Sequence, residues 1–479
     1  MSPLLALLLT LAFIAFIFGR DFRQRPNTSV ALWLPTIWML IIGSRFPSEW
    51  LDPWASWNAS ALEDGSPIDR LVFFGLILFA AGVLFHRRVQ LYELVRNNIA
   101  LTFYLVYCFI AIFWSDFPFV AFKRWIKVLG HPIMALIILT EPNREEAVRR
   151  LMKRCAYVLI PVSILFIKYY PDLGRGYDDW TGRAFHMGIT NNKNALGYVC
   201  MILGIFFAWY LMSMLRSAKK VSRGEQVLSI GFLVMIAWLL LMADSQTPLV
   251  CLVAAVVILA FLGISAVNKR YIGTYLTAAV LTFIVAELLG DVYASTLRLL
   301  GRNPTLTDRT DLWQEVLKVE INPLLGAGFE SFWLGDRMER LWEIFRFHPN
   351  QAHNGYLETY LNLGLLGVGL LIALIIATFS KAKIELLRNP EFGSLRMALL
   401  IAILIYNYTE AVFKAVHLVW FAFYIIALDY PTHSTASPHP GAGRRPDGPL
   451  VRFGAAQGDA SPGPAAGRHN RTLAWTEPQ

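Results

Sequence analysis

Charge is what this sequence lacks most. Only 16% of its 479 residues are Asp, Glu, Lys or Arg, while 56% are hydrophobic. A soluble globular chain carries nearer a quarter charged residues. Cysteine is scarce too. Cys108, Cys155, Cys200 and Cys251 stand singly in or beside apolar runs, and none belongs to a C-x-x-C pair, so neither a disulfide framework nor a cysteine metal site is inferred. There is no D-x-D acidic motif, no internal repeat and no inverted symmetry of the transporter kind. No basic stripe with interleaved aromatics stands out either. The net charge of +9 is therefore assigned to cytoplasmic loops of a membrane protein, and no nucleic-acid partner is expected.

What is present is a series of long apolar runs. Residues 227–243 pass without a charge, and 355–379 are interrupted only by Glu358. Neither stretch leaves a polar face for water, because apolar residues go all the way round the helix. In lipid the backbone must satisfy itself, so the runs should be helices. Spans are expected near 3–18, 29–43, 69–85, 99–114, 125–140, 155–168, 194–215, 227–243, 248–264, 271–289, 355–379 and 397–428. The first lacks a charged leader and an A-x-A site, which favours a retained span over a signal peptide. The last is long enough for two short helices broken near Asn407–Glu410. The expectation is an all-α integral membrane protein of about twelve transmembrane helices, twelve or thirteen by this count.

Connecting segments alternate in charge. Those at 19–28, 86–98, 144–154, 216–223, 269–270 and 381–396 are basic, and those at 44–68, 115–124, 169–193, 244–247 and 290–354 are acidic or mixed. The positive-inside rule puts the first set in the cytoplasm and the second outside, with the N-terminus outside. The chain then divides into N-terminal spans and a first outer loop (1–68), a membrane domain (69–430) and a Pro-, Gly- and Ala-rich tail (431–479) that cannot bury a core and reads as disordered.

The one sizeable loop, 290–354, carries pattern of its own. Asp308 can cap a helix with Leu312, Trp313, Val316, Leu317 and Ile321 on one face. Asn322-Pro323 stops it and Gly326-Ala327-Gly328 turns the chain. Met338, Leu341, Trp342 and Phe345 then follow at helical spacing. Two amphipathic helices here would cap a cavity, with Arg298, Arg302 and Arg309 before the first, and His348 and His353 after the second.

At this point the sequence resembles a known family. Arg309-Thr-Asp-Leu-Trp313, Asn322-Pro-Leu-Leu-Gly-Ala-Gly-Phe329, His353-Asn-Gly-Tyr-Leu-Glu358 and Gly364-Leu-Leu-Gly367 are similar to the O-antigen ligase and polymerase superfamily. Trp114-Ser115 with Arg124 and Lys127 downstream, Asn192-Lys-Asn-Ala-Leu-Gly197 and Ser245-Gln-Thr247 fit its exopolysaccharide-polymerase (ExoQ-type) branch best. The resemblance covers roughly residues 70–430. It implies a bacterial inner-membrane glycosyltransferase with no metal and no cofactor. The enzyme would take glycan from an undecaprenyl diphosphate carrier at the periplasmic face, where loop 290–354 would lie. A polymerase passes that glycan to another lipid-linked glycan, and a ligase passes it to lipid A core or protein. A chain-length regulator and a flippase are conceivable partners. A transporter or flippase of the same lipid is the reading from a different class, but it would need broken midplane helices and repeats rather than a structured outer loop.

The chemistry gives these residues roles. Breaking a sugar–phosphate bond puts negative charge on the leaving diphosphate, which Arg can meet bidentately. The acceptor hydroxyl must lose a proton, so a base helps. His353, Arg309 and Glu358 are the catalytic candidates; Arg183, Lys193, Asn194, Asn354, Arg124 and Lys127 are the substrate-binding ones. Each also has a plain structural reading. Arg309 could be a solvated first-turn residue, although a cation there opposes the helix dipole. His353 could be an ordinary interfacial histidine. Glu358 sits in an apolar helix, where a carboxylate is costly. Lys193 could snorkel, Arg183 could pair with Asp178 or Asp179, and Arg124 and Lys127 could mark an interface. Glu410, in an apolar run near Asn407 and Lys414, reads as buried and partnered, a packing residue.

Overall fold

The structure is a computed structural model that describes residues 1–431 apart from 25–26, 53–64, 178–181, 183, 217–221, 291–308 and 346. The expected helix cap Asp308, the cations Arg183, Arg298 and Arg302, and the tail from Thr432 onward lie outside the described residues.

Each apolar run folds into a helix. In chain order these are α1 (Pro3–Arg23), α2 (Trp33–Ile42), α3 (Pro67–His86), α4 (Ile99–Ile110), α5 (Pro118–Leu139), α6 (Arg144–Tyr169), α7 (Lys193–Arg216), α8 (Arg223–Ala243), α9 (Gln246–Leu262) and α10 (Ile272–Gly290). Two helices of the long loop follow, α11 (Arg309–Lys318) and α12 (Asp336–Ile344), then α13 (Gly355–Arg388), α14 (Pro390–Thr409) and α15 (Leu418–Ala427). Six of them, α1, α3, α7, α8, α13 and α14, are long and apolar enough to cross a membrane. Helices α4, α9 and α15 are apolar but shorter. The run at 397–428 is indeed two helices, separated by a non-helical stretch that begins at Glu410. The chain is not wholly helical: β1 (Arg175–Tyr177) pairs antiparallel with β2 (Ala184–His186), placing Gly176 opposite Phe185.

Helices α7 and α14 lie in the middle of the bundle, whereas α1 exposes almost all of its apolar surface. The two ends of the bundle differ. At one end α6 carries Arg150, Lys153 and Arg154, all buried. Arg150 and Arg154 bond the buried Asp21 of α1, and Lys153 Nζ sits 2.7 Å from Glu225 of α8. Residues 309–354 pack against the other end.

That loop has a hydrophobic core of its own, in which Leu312, Val316, Phe332, Leu341 and Leu361 are buried together. The face expected of α11 is only partly right, since Leu317 points outward and is 58% exposed. The loop is keyed into the membrane helices at a break in α13. Gly364 there adopts φ 63°, ψ −166°, interrupting the helix. The strap Pro323–Gly328 fills the gap. Leu365 N–H donates to Pro323 O (2.9 Å), Leu366 N–H to Leu324 O (3.2 Å), Ala327 N–H to Leu361 O (2.9 Å) and Gly328 N–H to Asn362 O (3.0 Å). A Cβ on Gly364 would lie 2.3 Å from the Leu324 carbonyl carbon, so only glycine allows the strap so close. Asn322 starts the strap by accepting the N–H groups of Leu324 and Leu325 on its side chain, at 2.9 and 3.1 Å. Trp114 and Ser115 complete the clamp from the end of α4. Trp114 Nε1 donates to Leu325 O at 3.2 Å, and the Ser115 and Ser331 hydroxyls are 2.6 Å apart.

Candidate active site

The clamp brings the chain's sequence motifs to one place. Asn354 caps α13, its Oδ1 accepting the N–H groups of Tyr356 and Leu357, each at 3.0 Å. That cap fixes where the preceding residue emerges, and His353 leaves it with a left-handed φ of 49°. Two further bonds hold the segment. Trp313 Nε1 of α11 donates to Ala352 O at 2.7 Å, and Ala352 N–H donates to Glu358 Oε2 at 2.8 Å.

Glu358 is thus a brace. Its two oxygens also accept from Trp333 Nε1 (2.9 and 3.0 Å) and from Asn362 Nδ2 (3.0 Å). The carboxylate that is costly in an apolar helix is satisfied by N–H donors, and it joins the loop's core to α13.

The carboxylate at the centre of the charged cluster is Glu410. It occupies the C-terminal cap of α14, is buried, and gathers three of the motifs. Arg309 Nη2 donates to its Oε1 at 2.8 Å, and Asn194 Nδ2 donates to the same oxygen at 3.1 Å. His353 Nδ1 lies 3.3 Å from Oε2. Arg309 also donates to the Thr409 carbonyl, and Asn194 accepts from Ser245 Oγ at 3.1 Å. Thr247 of the same Ser-Gln-Thr motif shares a hydroxyl hydrogen bond of 2.9 Å with Thr409. A cation in the first turn of α11 opposes that helix's dipole; here its partner is Glu410 rather than water. Burial pushes the Glu410 carboxyl up, but the His353 hydrogen bond and the charges of Arg309 and His353 more than offset it and leave it below the ordinary carboxylate value.

Beside this cluster lies a cavity of about 200 Å³ whose lining includes Arg124, Glu330, Trp333, Glu358 and Lys414. Lys414 links it to the cluster: its Nζ donates to Gln351 Oε1 at 2.7 Å, and Gln351 Nε2 lies 3.4 Å from His353 Nδ1. Arg124 donates to the Glu330 carbonyl. Lys127, one helical turn on, lines a second, apolar groove, and Lys193 is exposed at the start of α7.

Of the nine candidates, then, Arg309, His353 and Asn194 meet on one carboxylate. Glu358 and Asn354 hold the loop that presents the histidine. Arg124 borders the neighbouring cavity, Lys127 and Lys193 stand apart from the cluster, and Arg183 lies outside the described residues. Glu410 is the residue sequence reasoning undervalued. An acid in an apolar run at the point where a helix breaks was the available signal.

Known proteins bear on this arrangement. Residues 231–372 match the family described as O-antigen ligase. That stretch includes Arg309, His353 and Glu358 but stops short of Glu410. The chain is also 31% identical over 311 residues to the exopolysaccharide production protein ExoQ of Rhizobium meliloti, a match covering 60% of this chain and 66% of that protein's length.

Proposed function

Because the chain belongs to the O-antigen ligase family, in its ExoQ-type branch, we propose that it is a glycosyltransferase of the bacterial inner membrane that polymerises undecaprenyl-diphosphate-linked oligosaccharide repeat units at the periplasmic face. The observation that carries the reading is the grouping of Arg309, His353 and Asn194 on Glu410, beside a cavity and beneath a loop keyed into the helices.

The geometry supports the following roles. Glu410 is the stronger acceptor facing His353 Nδ1, so it keeps the ring proton there and leaves Nε2 as the basic nitrogen. Nε2 takes the proton from an acceptor hydroxyl as that oxygen attacks the anomeric carbon of the donor sugar. The bond from that carbon to the phosphate oxygen breaks, and the diphosphate leaves with its electron pair. Arg309 meets the developing charge. Two of its N–H groups are fixed by Glu410 and Thr409, which orients the guanidinium, and among the described residues no other hydrogen bond occupies the rest, which would meet phosphate oxygens.

Arg309→Ala should abolish polymer while the protein still accumulates in the membrane, an effect of about 3 kcal/mol or more by analogy with a lost oxyanion donor. Arg309→Lys should rescue poorly, because the fork is lost. Polymer at the wild-type level from the alanine variant would remove Arg309 from the reaction. The family's designation as O-antigen ligase favours a second reading, transfer of the finished glycan to lipid A core or protein. Purified protein given only lipid-linked repeat units separates the two: a polymerase lengthens them, and a ligase does not.

A further inference from the structure

His353 Nδ1 faces two groups with opposite demands. Glu410 Oε2 lies 3.3 Å away and accepts, whereas Gln351 Nε2 lies 3.4 Å away and donates. The direction of the Gln351 amide is fixed by its other neighbour. Lys414 Nζ sits 2.7 Å from the far end of that amide. An ammonium has no lone pair to offer, so the atom it meets is the oxygen, and the NH2 group is left facing the imidazole. One ring nitrogen cannot satisfy both neighbours. A proton on Nδ1 meets Glu410 and confronts the Gln351 N–H; a lone pair there meets Gln351 and confronts the carboxylate.

Lys414 is set in place by the linker 410–417, between α14 and α15. Val412 N–H donates to Asn407 Oδ1 at 3.3 Å, and Ala415 N–H donates to Glu330 Oε1 at 2.9 Å. Val416 carries a left-handed φ of 58°, a costly conformation for a β-branched residue that persists only where the surroundings impose it. One linker thus supplies both Glu410 and Lys414 to the histidine. The other charged groups nearby are engaged elsewhere. Arg309 of α11 bonds Glu410, and Glu358 of α13 accepts from Trp333, Asn362 and Ala352. Asn194 of α7 is uncharged and also bonds Glu410.

We propose that Gln351, turned by Lys414, is a positioning residue that opposes Glu410 at His353 and destabilises the imidazolium, so that the ring releases each proton it takes. The proposal rests on the role of His353 as base in the reading above, and deepens it. Glu410 alone would make the ring a stronger base but would also hold the proton after each turnover. The neutral ring can relieve the conflict with Gln351 by moving its proton from Nδ1 to Nε2. The imidazolium carries a proton on both nitrogens and cannot. The positive end of the amide, backed by the Lys414 charge, therefore bears hardest on the charged ring. Glu410, the charged acceptor, still favours the tautomer with a basic Nε2. A proton taken there from the acceptor hydroxyl passes on to water, and the ring returns to neutral.

The test uses the full chain in phosphatidylcholine nanodiscs with its histidines labelled with nitrogen-15. NMR follows the His353 imidazole against pH, its signal being the one lost in His353→Gln. Gln351→Glu replaces the opposed donor by an acceptor and should move the titration midpoint up by about one pH unit, a tenfold change in proton affinity. Gln351→Met removes the donor alone and should move it the same way by less. Lys414→Met frees the amide to turn its oxygen toward Nδ1 and should also raise the midpoint, whereas Lys414→Arg keeps a donor-only cation and should leave it in place. A midpoint unmoved or lowered in Gln351→Met, the milder change, overturns the proposal. Extension of lipid-linked repeat units is scored separately, and the acid limb of its rate should move with the midpoint. A rate reduced equally at every pH, with the midpoint in place, would mark Gln351 as a packing residue and overturn the proposal while the polymerase reading stands. Shifted midpoints in a protein that extends nothing defeat the polymerase reading alone.

Discussion

The two ends of the helix bundle spend charge differently. At the end formed by α1, α6 and α8, carboxylates are matched to cations one cluster at a time. Asp21 bonds Arg150 and Arg154, Glu225 bonds Lys153 and Arg20, and Glu385 bonds Arg144 at 2.7 Å. At the loop end one carboxylate, Glu358, takes only N–H donors, and another, Glu410, gathers a guanidinium and an imidazole. Paired charges in a low-dielectric setting hold helices in register. The same residue types are thus paired off singly at one end, while at the other a guanidinium and an imidazole share one carboxylate, the arrangement on which the proposed chemistry rests.

Substitutions at the two ends should accordingly separate activity from stability. The largest effect is expected from His353→Gln. Loss of a general base costs roughly two to four orders of magnitude in rate, so turnover of purified protein on lipid-linked repeat units should nearly vanish while the protein melts as before. Near wild-type turnover across the neutral pH range would show that His353 only orients the sugar, and the base would have to be sought at Glu358. The reverse pattern is expected of Asp21→Asn. Removing the acid from a buried cluster leaves Arg154 without its carboxylate and Arg150 with Glu146 alone, a cost of about 3–5 kcal/mol. The variant should accumulate poorly and melt early, while the fraction that folds keeps its turnover number. A variant of normal stability would mean that the basic end is not held by its ion pairs.

The smallest effect sharpens the comparison within the loop end. The Glu410 carboxyl is held below its ordinary value, so its bonds to Arg309 and His353 contribute stability at neutral pH. That contribution is present above the unfolded carboxyl's range and is lost as pH falls through the lowered folded value. The gap in melting temperature between wild type and Glu410→Gln should be constant near neutrality and close in acid. A gap independent of pH would mean that Glu410 is a neutral packing residue.

Much of this was legible in the sequence, for identifiable reasons. Apolar runs mark helices because lipid leaves the backbone no other partner, so every run became one, including the split at 397–428. Arg309 and His353, which the structure brings together on Glu410, stood out in the sequence because each violates its local setting, a cation at a helix start and an imidazole at the mouth of an apolar span. Glu410 was passed over because its partners lie 57 and 101 residues away, and no local period connects them. The break at Gly364 was equally hidden. The Gly-Leu-Leu-Gly motif reads as an unbroken helix until the strap from 323–328 is placed against it. The β1–β2 hairpin escaped because strands of three residues show no alternation.

The strap has a consequence for how the protein is made. The amides of Leu365 and Leu366 and the carbonyls of Leu361 and Asn362 cannot pair within α13 at its break, and in lipid each unmet group costs several kcal/mol. Their partners are encoded upstream, at 323–328, and leave the ribosome first. The growing chain therefore emerges with the complement of its broken helix already synthesised. Docking of that complement is what lets α13 settle, so the segment that presents His353 takes its place together with the strap.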